Sequence, residues 1–323
     1  MITTAFTELV GCTIPIQQAG MGAVSPPELA AAVSEAGGLG MLGMAHLGLT
    51  PASLSNRLDR LCALTDKPFG VNFIVAPQIK QLDPRCVEIA ARAARVVEFF
   101  YGEPDRSLVE IAHGGGALVS WQVGSKSEAV AAAEAGCDII VAQGVEAGGH
   151  VRGTVDMMTV LGQVIESVDV PVLAAGGIGT GRAMAAALAA GADGVRVGTR
   201  FLAAPEAAAH PEYVAALIAS QAEDTIYTTA FSRSFPHAPH RVLRSCVTAA
   251  EAFEGDAVGE ITALDGTRMP ALRLATFAVD NTATGTIAAM SLLAGRSVGA
   301  VTQVQSAAEI LRSLVNECVR ERQ

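Results

Sequence analysis

The sequence predicts an α/β fold: a (β/α)8 TIM barrel with a small inserted cap domain. Three observations predict it. Short apolar runs alternate with Ala-rich helical stretches eight times before Phe201. Most of those runs end in glycine-bearing loops. After Phe201 the rhythm stops, and a mixed segment leads to one last amphipathic stretch. Alternation of strand and helix argues for a parallel sheet with crossover helices. Eight repeats favour a closed barrel over a doubly wound open sheet, which is the runner-up. The chain has 323 residues, and a bare barrel needs roughly 200–250, so an added domain has room.

The elements follow in order. Pro15-Ile16-Gln17-Gln18-Ala19-Gly20-Met21 holds the first strand. Ser25-Pro26-Pro27-Glu28 reads as a helix start with proline in the first turn, so a helix runs from Pro27 to Glu35 until Gly37-Gly38 ends it. Leu39–Gly43 is the second strand, Phe69–Val75 the third, Val96–Tyr101 the fourth and Ala117–Val123 the fifth. Asp138–Gln143, Pro171–Ala175 and Gly194–Thr199 are the sixth, seventh and eighth. Helices such as Ser127–Ala135 and Gly181–Ala190 lie between them, each stopped by glycine. Residues 205–298 contain Pro211, Pro236, Pro239, Gly255 and the polar run Asp280-Asn281-Thr282, and read as a cap or substrate domain. Residues 1–204 and 299–323 then make the barrel, with Ser306–Arg320 as the helix that closes the ring.

Composition narrows the function classes. Half of the residues are hydrophobic, 17% are charged and 4% are aromatic, so a large core of Ala, Val, Leu and Ile is expected and disorder is not. The net charge of −10 and the scarcity of lysine (Lys67, Lys80, Lys126) argue against a nucleic-acid surface. Six cysteines are scattered singly, which predicts buried reduced thiols in a cytoplasmic protein and no structural metal. The N-terminus lacks a basic region followed by an apolar run, and no apolar stretch is long enough to span a membrane. A homodimer is left open.

Barrel enzymes build their sites where the strands end. Here those ends hold Gly20-Met21-Gly22, Asn72, Tyr101, Gln122, Gln143–His150, Gly176-Gly177 and Gly198-Thr199. Glycine lets a backbone approach a flat ligand or a phosphate. Gly176-Gly177 follows the seventh strand and Gly198-Thr199 the eighth. Loops at these places commonly present N–H groups to a phosphate, although glycines there also serve as tight turns. A Rossmann site fails, because no Gly-x-Gly-x-x-Gly follows the first strand.

The sharpest feature is Gln143-Gly144-Val145-Glu146-Ala147-Gly148-Gly149-His150. A neutral imidazole beyond a strand end can take a proton at neutral pH, which makes His150 the candidate catalytic residue. Glu146 either orients His150 or holds the loop through backbone hydrogen bonds. His46, His113, His210, His237 and His240 carry weaker signals. The run Ser232–His240 reads as an ordered loop, with the substrate mouth as its alternative. Trp121 and Phe100 read as core or barrel-wall residues. No Ser-His-Asp signature and no HExxH spacing is present.

Several of these stretches resemble one family. Gln18–Gly22, Phe69–Asn72, Ala142–His150, Pro171–Ile178 and Val197–Phe201 are similar to the nitronate monooxygenases, also called 2-nitropropane dioxygenases. Ala294-Gly295-Arg296-Ser297-Val298-Gly299 is similar to a C-terminal segment of the same family. The resemblance covers nearly the whole chain and implies FMN at the barrel mouth. By that resemblance Gly20, Met21 and Gly22 face the isoalloxazine, and Asn72 and Gln122 hydrogen-bond the flavin. Gln143, Gly148 and Gly149 line the ribityl side, and Ala175, Gly176, Gly177, Gly198 and Thr199 hold the phosphate. His150 is then the catalytic residue over the flavin. The implied reaction oxidises an alkyl nitronate, or a nitroalkane after proton loss to His150, with O2 to a carbonyl compound and nitrite.

Departures and alternatives remain. Some family members carry Lys where Gln122 stands, a cation that favours an anionic reduced flavin. Tyr101, Tyr213 and Tyr227 match no substrate tyrosines by position. Flavin-dependent enoyl-acyl-carrier-protein reductases share the Glu-Ala-Gly-Gly-His stretch of residues 146–150, and NAD(P)H:quinone reductases share the fold. A flavin-free binding protein on a degenerate barrel is the non-enzymatic alternative.

Overall fold

The computed structural model describes residues 2–44, 47–76 and 81–323. His46 and Lys80 lie outside the described residues. Helix α1 (Ala5–Val10) precedes strand β1 (Ile16–Gln18). Units α2 (Pro27–Glu35) with β2 (Gly40–Met44), α3 (Pro51–Leu64) with β3 (Phe69–Ile74) and α4 (Pro84–Ala93) with β4 (Val96–Phe100) follow. Next come α5 (Arg106–Gly114), β5 (Leu118–Val123), α6 (Lys126–Ala135) and β6 (Ile139–Gln143). The loop after β6 carries a two-residue strand, β7 (Gly149–His150), before α7 (Met157–Ile165). Then β8 (Val172–Ala175), α8 (Gly181–Ala189), β9 (Gly194–Val197) and the short α9 (Thr199–Leu202) complete the run.

The eight expected strands form one parallel sheet in the order β1-β9-β8-β6-β5-β4-β3-β2. A parallel bridge between Gln17 and Leu39 closes it, with Leu39 N donating to Ile16 O and Gln18 N to Leu39 O, both at 2.9 Å. The fold is therefore a (β/α)8 barrel.

Local chemistry explains the element boundaries. Helices after strands start on residues whose side chains accept from the first-turn N–H groups: Thr50, Asp83, Ser125, Asp156 and Thr180. The closing helix α12 (Ala307–Glu321) begins with a capping box between Ser306 and Glu309. It packs against α8 and α2, and Glu317 accepts the Gly181 N–H at 2.7 Å. The ring is thus sealed between its last and first barrel helices.

Strand periodicity sorts side chains between two faces. Val71, Phe73, Val97, Phe99, Val119, Trp121, Ile140 and Val195 share the large cluster between strands and helices. The opposite parity points inward. Leu39, Met41, Val96, Ile139, Val141 and Leu173 form a separate cluster with Phe6 and Val10, so α1 plugs one end of the barrel. Further along the same parity come Asn72, Glu98, Ser120, Gln122, Gln143 and Arg196, all buried and all polar. The barrel interior therefore changes from apolar to polar toward the strands' C-terminal ends.

Segment 205–298 folds into α10 (Pro211–Ile218), β10 (Thr225–Thr228), β11 (His240–Leu243), α11 (Arg244–Ala252), β12 (Ala257–Thr262), β13 (Arg268–Leu272) and β14 (Thr284–Gly285). Its apolar side chains build a second cluster that takes in Val24 and Leu202 from the barrel rim. Strand β11 pairs antiparallel with both β10 and β7, which ties the segment to the His150 loop. The cysteines need one correction. Five are buried, but Cys62 is exposed, because its place on α3 faces away from the barrel. Burial pushes the Cys137 and Cys246 thiols up to about 12 and Cys12 to about 11.

Candidate active site

One cavity of about 220 Å³ lies at the C-terminal ends of the strands. The residues that the resemblance assigns to the flavin or to catalysis all line it: Gly20, Met21, Gly22, Asn72, Gln122, Gln143, Gly148, Gly149, His150, Ala175, Gly176, Gly177, Gly198 and Thr199; Tyr101 and Glu146, also at strand ends, do not. Their order around the barrel follows from the strand order, since each sits at the end of a strand or just beyond it.

The β6 loop is built from several interlocking contacts. Gln143 Nε2 donates to His150 O at 3.0 Å, which folds the loop back on its own strand. His150 pairs with His240 in the β7–β11 ladder, and Val151 N donates to Pro239 O at 2.9 Å. Arg241 Nε donates to Val145 O at 2.8 Å, a further tie from β11. The imidazole of His150 stands among rings, 4.5 Å from Phe235, 5.6 Å from Tyr101 and 5.8 Å from His240, centroid to centroid. Its position is therefore set by a strand pair below and aromatic packing beside it.

Two glycines show why this loop needs them. A Cβ on Gly148 would sit 2.5 Å from Gly295 N and 2.7 Å from Ala294 C, main chain that cannot yield. Segment 294–299 thus packs directly on the loop, and Gly295 N also donates to Thr199 Oγ1 at 3.0 Å. Gly176 has φ +118, a conformation L side chains rarely adopt, and its Cβ would meet Ala147 N at 3.2 Å. The turn after β8 can then press its backbone against the β6 loop and the cavity.

Glu146 is resolved in favour of the loop. Its carboxylate accepts from Met157 N at 3.0 and 3.3 Å, and its backbone oxygen accepts from Arg296 N at 2.9 Å. Met157 N is the first N–H of α7, where a negative charge is favoured. Asp156 accepts from Thr159 N at 3.0 Å, so the two carboxylates divide the helix start between them.

His240, His210 and His113 serve the framework. His240 is fully buried, with Nε2 accepting from Phe231 N at 3.2 Å and Nδ1 facing Ala238 O at 2.9 Å. An acceptor role for Nε2 puts the proton on Nδ1, and burial holds the ring's pKa below its ordinary value. His210 caps α10 by accepting from Glu212 N, and His113 bonds Asp138 at 2.8 Å. The run Ser232–His240 does reach the cavity, through Phe235 and not through its histidines. Trp121 is buried in the barrel wall, while Phe100 lines the cavity.

Sequence reasoning missed a polar group at the cavity floor. Glu98 on β4 is fully buried and ion-pairs with Arg196 on β9. Asn72 Nδ2 donates to Glu98 Oε1 at 2.8 Å, Gln17 Nε2 to Oε2 at 2.9 Å, and Ser120 Oγ lies 3.4 Å from Oε2. A signal existed: one carboxylate in Val96-Val97-Glu98-Phe99-Phe100 and one cation in Gly194-Val195-Arg196-Val197, both in the inward parity. Unpaired buried charges are costly, so two such residues in one barrel should find each other. Tyr213, Phe277 and Leu293 also line the cavity from a segment that carries no legible motif.

Comparison with known proteins accords with this geometry. The family model for nitronate monooxygenase matches residues 3–317. Over 262 residues the chain is 36% identical to the (3aS,4S,5R,7aS)-5-hydroxy-7a-methyl-1-oxo-octahydro-1H-indene-4-carboxyl-CoA dehydrogenase of Rhodococcus jostii (strain RHA1), covering 81% of this chain and 71% of that one. The solved structure of FabK from Thermotoga maritima superposes with a TM-score of 0.81 at 32% identity, covering 99% of this chain and 97% of that one. Nitroalkane oxidase from Streptomyces ansochromogenes superposes with a TM-score of 0.77 at 31% identity, covering 99% of both chains. With a family model matched across almost its full length, this chain belongs to the nitronate monooxygenase family of oxidoreductases.

Proposed function

We propose that the protein is an FMN-dependent nitronate monooxygenase that oxidises alkyl nitronates with O2 to carbonyl compounds and nitrite. The observation that carries this reading is the single cavity that gathers His150 and the glycine-rich ends of the strands. A flavin fits the residues present. Gln143 Oε1 is buried without a hydrogen-bond partner, an acceptor that a ribityl hydroxyl or ring N–H would satisfy. Gly176, Gly177, Gly198 and Thr199 end adjacent strands, where barrels commonly hold a phosphate. Asn72 and Gln122 supply amides for a flat heterocycle, and Gly20, Met21 and Gly22 leave room for its face. When bound, FMN supplies the redox chemistry.

The chain's own residues orient the substrate and move its proton. His150 Nδ1 is buried, which leaves Nε2 as the nitrogen to take a proton from the carbon beside a nitro group. A nitronate arrives already deprotonated and needs only placement. Met44, Ile74, Phe100, Phe235 and Leu293 form an apolar wall that suits an alkyl chain and excludes water. Residues 205–298 act as the cap, since Phe235, Phe277 and Leu293 come from them. The reading keeps the protein in the cytoplasm; no helix among the described residues is long and apolar enough to cross a membrane.

A second reading has one observation in its favour, the Rhodococcus relative whose name is that of an indene-carboxyl-CoA dehydrogenase. On that reading the cavity takes an acyl thioester, or the flavin exchanges electrons with NADH or NADPH. The test is anaerobic mixing of the purified yellow protein with NADH, NADPH or propionate-3-nitronate while the flavin spectrum is followed. Bleaching by the nitronate alone supports the monooxygenase. Fast bleaching by a nicotinamide defeats it, and a colourless protein that takes up no FMN defeats the flavin reading altogether.

A further inference from the structure

Arg196 is the only permanently charged side chain among the described residues that line the cavity. Its partner Glu98 is not among the lining residues and has no exposed surface. We infer that Glu98 is a positioning residue that sets the polarity of the cavity floor toward the flavin, an inference that rests on the FMN reading above.

Two consequences follow from what a carboxylate can do. It accepts hydrogen bonds and donates none, so each amide beside it must turn its NH2 inward. Asn72 does so through Nδ2, and Gln17 through Nε2. Gln17 obeys at a cost, because its Oε1 is left buried without a partner. With one Nδ2 hydrogen held by Glu98, the Asn72 amide cannot flip, so Oδ1 and the second Nδ2 hydrogen keep fixed places. The floor then presents acceptor and donor in a fixed order, which a ring must match with its own N–H and carbonyl groups. The second consequence is electrostatic. An uncompensated guanidinium beside a flavin would favour the anionic reduced form. Glu98 cancels that charge, and Gln122 adds none where some family members carry Lys. This floor is therefore neutral overall and directional.

The experiment uses Glu98→Gln with two measurements that do not depend on turnover. The first is fluorescence titration of the apoprotein with FMN, and the second is the flavin midpoint potential by spectroelectrochemistry. Glu98→Gln should weaken FMN binding at least tenfold, because a neutral amide at position 98 permits either orientation of Asn72. Its midpoint potential should rise, because Arg196 loses its counter-charge. The double variant Glu98→Gln/Arg196→Met removes both charges and avoids a lone buried cation. It should return the potential to the wild-type value and still bind FMN weakly. Wild-type affinity and potential in Glu98→Gln would overturn the inference. Should that variant fail to fold, wild-type FMN affinity in the double variant would overturn it equally. A wild-type protein that binds no FMN in the same titration overturns the flavin reading itself, which keeps the two failures apart.

Discussion

Glu146→Ala removes the acceptor for the first N–H of α7 and tests what this carboxylate does for His150. Met157 N sits 3.0 and 3.3 Å from the two carboxylate oxygens, and Met157 is buried. A buried donor left without an acceptor costs about 1–3 kcal/mol. A carboxylate at a helix start adds about 0.3–1 kcal/mol of charge–dipole attraction. Glu146→Ala should therefore lower stability by about 1–4 kcal/mol, whereas Glu146→Gln keeps an acceptor and should lose only about 0.3–1 kcal/mol. Urea unfolding monitored by far-UV circular dichroism reads both. Steady-state kinetics on a nitronate supply the second axis: Glu146→Gln should keep kcat within about threefold of wild type, since His150 is held by β11, Gln143 and the aromatic rings. Native stability in Glu146→Gln combined with a collapse of kcat would refute the reasoning. That result would place Glu146 in the chemistry of His150 and not in the support of its loop.

Other expectations are equally open to measurement. His150→Asn should retain FMN and lose most turnover with neutral nitroalkanes, while turnover of preformed nitronates falls far less; unchanged nitroalkane kinetics would remove His150 as the base. His240 has a folded-state pKa lowered by burial, so the stability it confers is fully present above its unfolded pKa of about 6.5 and is lost as pH falls below it. His240→Phe should flatten that acid slope in urea titrations between about pH 5 and 7. It should also cost about 1–3 kcal/mol at neutral pH by leaving Phe231 N without its acceptor; an identical slope in both proteins would contradict this. Gly176→Ala forces an L side chain to φ +118 and should cost about 1–3 kcal/mol with weaker FMN binding, read by urea unfolding and fluorescence titration. A variant as stable as wild type would show that the turn relaxes freely.

Legibility tracked sequence distance. The Gln143–His150 stretch, the Gly176-Gly177 turn and the Gly198-Thr199 turn were readable because each is a local signal, a strand followed by residues with special backbone freedom. The proline-led start of α2 was readable for the same reason. The contributors Phe235, Tyr213 and Leu293 from residues 205–298 were not, because ordinary apolar residues acquire a role only through what they face. Glu98 and Arg196 fall between these cases. Each looks out of place in its own strand, but 98 positions separate them, and only barrel closure brings their side chains together.

The sequence by itself determined the parallel eight-fold alternation, the family resemblance and the set of residues that meet at the strand ends. Period-2 and period-3.6 patterning are local properties, and a closed barrel maps strand ends onto one rim. Tertiary structure alone decided two things about the opening picture of a barrel with a site at its mouth. It assigned Glu146 to the start of α7, and it placed a compensated charge pair at the cavity floor. Both depend on distances between groups that the chain order leaves unspecified, and in a low-dielectric interior those distances decide whether a charge is tolerated.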